Sequence, residues 1–176
     1  AASAGAPSLV VEHPFTTLTL ERCITGPLLL AADSAVTATL TDCIVDAVDP
    51  AKVAFAGDTS GKPGAELTLR ECTVIGQTST RLLLLASDGI FTAALHAARR
   101  QEGCMRFCVV PPESIAPRRY HCLPDAAHPN VRPHFTSLRY ADPGYCQLQL
   151  ATPRGIREGA DDGGGAAGED WPTTVR

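Results

Sequence analysis

The chain is predicted to be all-β: a right-handed parallel β-helix, a solenoid of about five short coils followed by a less regular C-terminal segment. Three observations predict it. A Leu-x-Leu-x-x-Cys pattern recurs along the first half of the 176-residue sequence. Inside each copy apolar and polar residues alternate with period two, the mark of a strand with one buried face. Aromatic residues make up only 5% against 44% hydrophobic residues, so the core must be built from Leu, Val, Ile, Ala and Cys. Such a core suits a narrow interior lined by strands.

The first strong copy is Thr17-Leu18-Thr19-Leu20-Glu21-Arg22-Cys23-Ile24-Thr25. It aligns with Thr39-Leu40-Thr41-Asp42-Cys43-Ile44-Val45 and with Glu66-Leu67-Thr68-Leu69-Arg70-Glu71-Cys72-Thr73-Val74. A looser fourth copy runs from Arg81 to Phe91, with Asp88 in the Cys place. The steps between these places are 20, 29 and 16 residues, and the turn-rich Gly57–Gly64 stretch accounts for the longest. Each copy is two short strands joined by a polar corner. No copy can bury its face alone, so the copies must stack, like side chain over like. Cys23, Cys43 and Cys72 then form an inward structural ladder. The weaker Ser8–Val11 and Leu28–Leu30 runs supply further strands. A helical reading is poor, because Gly or Pro punctuates almost every run. A β-sandwich is the structural rival, but it has no reason to repeat one motif at this spacing.

Charge divides the chain. Residues 1–95 carry 5 basic and 10 acidic side chains, residues 96–150 carry 7 and 4, and residues 151–176 carry 3 and 5. We therefore place β-helix coils at 1–96, a continuing or capping Pro/Arg/Cys-rich segment of the same domain at 97–150, and a Gly/Ala/acidic flexible tail at 151–176. The total of −4 is too mild to imply nucleic acid. No apolar run approaches a membrane span and no signal peptide is visible, so no membrane partner is expected. The Ala1-Ala2-Ser3 start reads as part of something longer.

Further strings carry a resemblance. They are Arg99-Arg100-Gln101-Glu102-Gly103-Cys104, Val110-Pro111-Pro112, Pro117–Cys122, and Phe135-Thr136-Ser137-Leu138-Arg139-Tyr140-Ala141-Asp142-Pro143-Gly144-Tyr145. With the Cys repeats, over roughly residues 8–162, the chain resembles a family of uncharacterised bacterial proteins with a right-handed, pectate-lyase-like β-helix. The resemblance implies the fold. It implies no activity and no catalytic residues.

The seven Cys invite other chemistry. Cys104, Cys108, His121, Cys122, His128, His134 and Cys146 fall in the irregular half, but no C-x-x-C is present and a zinc site is not expected. A Cys104–Cys122 disulfide across the Pro-rich excursion is the better candidate, outside a reducing compartment. Asp42, Asp46, Asp49 and Asp58 lie close in sequence, yet they read as solvated turn residues rather than a converging acid–base pair. Asp161-Asp162 hints at a calcium turn without the repeated nonapeptide it requires. Neither a Gly-x-Ser-x-Gly elbow nor a phosphate loop occurs. Stacking platforms beyond the coils are limited to Phe107, Tyr120, Phe135, Tyr140, Tyr145 and Trp171.

These features lean against an enzyme. The expected function is a non-catalytic structural or interaction module of a larger bacterial protein or assembly, without cofactor. It would contact another protein or itself through a β-helix end. Arg99, Arg100, Arg106, Arg118 and Arg119 are the candidate basic contact surface. Their plainer role is to pair with the acidic coils and pin a cap over them. The alternative is a carbohydrate-binding or carbohydrate-cleaving β-helix of the polysaccharide lyase or glycoside hydrolase kind. A groove with converging carboxylates and exposed aromatics would favour it.

Overall fold

The computed structural model describes residues 6–33 and 35–157. Among them the regular structure is strand apart from one four-residue helix, and every pairing between the strands is parallel. An antiparallel sandwich is therefore not what forms. The sheet curls, and the chain climbs it in rungs.

Rung one is β1 (Leu9–Val11), β2 (Thr17–Glu21) and β3 (Ile24–Thr25). Rung two is β4 (Leu28–Leu30), β5 (Thr37–Thr41) and β6 (Ile44–Asp46). Rung three is β7 (Val53–Ala56), β8 (Gly64–Arg70) and β9 (Thr73–Ile75). In rung four the first two strands merge into β10 (Gln77–Ser87), followed by β11 (Ile90–Phe91). Rung five is β12 (Leu95–Ala97), β13 (Cys104–Arg106) and a bridge at Val109. Rung six has a bridge at Ile115, then β14 (Arg118–Tyr120), then a bridge at Leu123. The described residues thus form six rungs where the repeats predict about five. The expected boundary at 96/97 falls inside β12, and the rungs run on to Leu123.

Register follows the apolar pattern. Leu20, Leu40, Leu69, Ala86 and Met105 stack inward in successive rungs. Leu40, Ala86 and Met105 are fully buried. Each such leucine contributes roughly 1.5–3 kcal/mol by leaving water. The outward column between them is Thr19, Thr39, Thr68, Leu85 and Cys104. Rung four departs from this order at one residue. Leu83 faces Leu67, but Leu85 faces Thr68, so Leu84 is a β-bulge and stands 48% exposed. Opposite that bulge Gly103, at φ +81°, comes so close to the Leu83 carbonyl that any Cβ would collide with it.

The chain after Leu123 returns along the outer face of the sheet made by β3, β6, β9 and β11. Val131, Phe135, Leu148 and buried Ile156 cover Ile90, Val109 and Leu123. Tyr145 and Cys146 cover Ile44 and Ile75. Apolar burial and a half-buried hydrogen bond, from Tyr145 Oη to Asp46 Oδ2 at 2.7 Å, hold this segment on. The first residues assigned to a flexible tail are in fact docked, because α1 (Arg154–Arg157) carries Ile156 into that cluster. The rest of the expected tail, residues 158–176, lies outside the described residues, as do Asp161, Asp162 and Trp171.

Candidate functional site: two adjacent columns

Two neighbouring positions in every rung form columns along the molecule. The inner column is Cys23, Cys43, Cys72, Gly89, Cys108 and Cys122. Its register follows from the residues just after it, Ile24, Ile44, Thr73, Ile90, Val109 and Leu123, which pair rung to rung. Cys43, Cys72, Cys108 and Cys122 are buried, and Cys23 at the first rung is half-buried. Gly89, not Asp88, therefore holds the fourth Cys place. The bulge at Leu84 inserts one residue and shifts everything after it by one. A Cβ at Gly89 would stand 3.3 Å from the Cys72 carbonyl and in ordinary contact with the Phe91 ring. The thiols serve as small apolar side chains with a weak donor. Those of Cys23, Cys43, Cys72 and Cys108 donate to the carbonyl two residues earlier at 3.0–3.2 Å. Burial pushes the Cys43 thiol up and drives Cys72 to about 12.

The corner column lies one residue earlier: Arg22, Asp42, Glu71, Asp88, Phe107 and His121. All six are left-handed, with φ between 47° and 57°. L-residues adopt this conformation at a cost, and the hydrogen bonds at the corner offset it. In the first five rungs the corner N–H donates to the next rung, from Arg22 to Thr41, Asp42 to Arg70, Glu71 to Ser87, Asp88 to Arg106 and Phe107 to Tyr120, at 2.9–3.1 Å.

Stacking aligns three carboxylates that the sequence reading did not group. The Glu71 carboxyl is raised, first by a hydrogen bond with Asp42, then by burial and the negative charges of Asp42 and Asp88. Arg22 reaches Asp42 at 3.9 Å. Ser87 bonds Asp88 and accepts from Arg106 Nε at 3.0 Å. The signal was available: Arg, Asp and Glu precede Cys23, Cys43 and Cys72 in turn. Above the carboxylates the ridge turns aromatic. Phe107 stacks on His121 at 5.9 Å, and Tyr120 meets both edge-on.

The other acidic residues separate. Buried Asp46 accepts from Tyr145 and from the Val48 N–H. Asp49 and Asp58 bond the N–H groups two residues on, and Asp58 also holds Lys62 at 3.0 Å. Tyr145 is raised by burial and by Asp46, and Cys146, raised by the same two causes, sits at about 11. Phe135 joins the flank cluster, and Tyr140 meets Tyr145 edge-on at 5.5 Å.

The predicted arginines gather in the last two rungs. Arg99 and Arg100 stand exposed after β12, Arg106 lies in β13, and Arg118 and Arg119 lie exposed in β14. Arg99 meets Glu102 at 3.5 Å. Arg119 takes the inward place over Met105, and its guanidinium donates to the Ser114 carbonyl at 2.8 Å. All seven cysteines are free thiols. Cys104 pairs in register with Arg118, whereas Cys122 lies beyond Cys108 in the inner column. Cys104 and Cys122, the expected bridge partners, therefore lie on different columns. His128 pairs with Asp125 at 3.1 Å.

An apolar cleft of about 360 Å³ opens between Phe91, Val110, Pro111, Pro133 and Phe135, with Glu113 and Arg132 at its wall. The carboxylate column is not part of it. No family model, no curated protein and no solved structure matches the chain.

Proposed function

We propose that this chain is a right-handed parallel β-helix acting as a non-catalytic interaction module that docks an acidic protein surface on the basic face of its last two rungs. The rung-by-rung parallel pairing and the resemblance to a bacterial β-helix family support the handed solenoid, since crossovers between parallel strands are almost always right-handed. The observation that carries the docking reading is the exposure of Arg99, Arg100 and Arg118 on the last two rungs. Charges exposed on such a face govern encounter and salt dependence. The test is retention of the full chain on polyglutamate beads. Retention at about 50 mM salt should be lost at about 300 mM and lost in an Arg99→Glu/Arg100→Glu/Arg118→Glu variant, but kept in Lys52→Glu/Lys62→Glu. Equal retention of both variants overturns the reading.

A second reading, carbohydrate binding or cleavage, draws on the corner column. Strands one rung apart lie about 4.8 Å from each other, which brings the corner carboxylates into the range of about 5–5.5 Å used by retaining glycosidases. Against it, none of the three carboxylates lines the apolar cleft. Reducing-end release from a polysaccharide panel, abolished by Glu71→Gln, would establish this second reading.

A further inference from the structure

We propose that Cys108 and Cys122 are a redox-responsive pair that closes to an intramolecular disulfide, stapling the last two rungs together. They occupy the same inward place in consecutive rungs. The Leu123 N–H donates to the Cys108 carbonyl at 2.8 Å, and Val109 bridges Leu123. Neighbouring parallel strands lie about 4.8 Å apart, within the Cα separation of about 4.4–6.8 Å that a disulfide spans. Both thiols turn inward, with Cys108 donating to the Arg106 carbonyl and Cys122 to that of Tyr120.

What sets this pair apart from Cys43 and Cys72 is its place at an end of the column. Cys43 and Cys72 sit in rungs paired on both sides, and Gly89 separates them from Cys108. Cys122 is in the sixth rung, which pairs only with the fifth among the described residues, so it can give toward its neighbour. Its neighbour Cys108 and the charge of Arg119 lower the Cys122 thiol against its burial, which favours Cys122 as the attacking thiolate of the pair.

The oxidant is a hydroperoxide. The Cys122 thiolate attacks its terminal oxygen, the O–O bond breaks, and the leaving oxyanion takes a proton to depart as water or alcohol. Cys122 becomes a sulfenic acid. The Cys108 sulfur then attacks the Cys122 sulfur, the S–O bond breaks, and hydroxide leaves as water with the Cys108 proton. Two thiols are oxidised to one disulfide and one hydroperoxide is reduced.

The experiment treats the folded chain with hydrogen peroxide, blocks remaining thiols with N-ethylmaleimide after unfolding, and maps peptides by mass. We expect one bridge, joining Cys108 to Cys122, with Cys23, Cys43, Cys72, Cys104 and Cys146 recovered as alkylated thiols. In Cys108→Ser, dimedone should trap Cys122 as the sulfenic acid. Iodoacetamide labelling of Cys122 in the untreated chain should set in at lower pH than that of Cys43. A bridge from Cys122 to Cys104, a bridge within Cys43–Cys72, or no bridge under peroxide overturns the proposal. The wild-type map decides the matter even if the serine variant fails to fold.

Discussion

The thiol column and the corner column are one residue apart in every rung, yet they obey different rules. The inner column holds only Cys or Gly, buried from the second rung on. The corner column holds Arg, Asp, Glu, Asp, Phe and His, all in one strained backbone conformation. Volume selects the first column, because a closed interior accepts little change in size. Backbone hydrogen bonding shapes the second, and side-chain identity there is left open to other uses. The difference teaches that a stacked sheet can repeat geometry strictly while repeating chemistry at only some of its positions.

The largest expected effect breaks the inner column. Cys43→Ser places a hydroxyl among apolar side chains and should cost roughly 1–3 kcal/mol, read as a lowered denaturant midpoint. Asp42→Ser, one residue away, should shift the midpoint far less. Equal losses at the two sites would erase the contrast.

A smaller effect is carried by pH. Cys43 and Cys72 have folded values raised above their ordinary value of 9.0, and Tyr145 is raised above 10.0. Groups raised on folding contribute stability that is complete below the unfolded value and is lost as pH rises toward the folded one. Stability should therefore fall as pH rises above about 9. A denaturation series across that range checks this, and a flat profile would mean that the thiols and the phenol are not desolvated.

The smallest effect sharpens the corner. Glu71→Asn relieves both a left-handed backbone that disfavours glutamate and a raised carboxyl facing Asp42. It should stabilise at pH 7 by up to about 1 kcal/mol, a gain that shrinks when acid protonates Glu71. Thermal melts at pH 7 and 4 measure it, and a loss of stability would show that the corner glutamate holds the fold together.

Much of the fold was legible because apolar residues at period two announce which face is buried. The Thr-Leu-Thr-Leu runs and the Cys steps of the first three copies locate β2, β5 and β8 and the corners after them. The fourth copy misled by one residue at Asp88 and Gly89. A bulge changes register without changing composition, and the Leu82-Leu83-Leu84-Leu85 run gives no clue as to which leucine is extruded. Less of the candidate site was legible. Asp42 and Glu71 are 29 residues apart in sequence and meet only because their rungs stack.

By itself, the sequence determined the strand periods, the repeated corner, the aromatic-poor core and the charge of each half, because these follow from local alternation and composition. Only the tertiary structure decided that 124–157 lies along the sheet flank, that Tyr145 bonds Asp46, and that Cys122 neighbours Cys108 instead of Cys104. Those pairings depend on how many residues each rung consumes, and the lengths of turns and bulges carry little energy of their own until the stack closes around them.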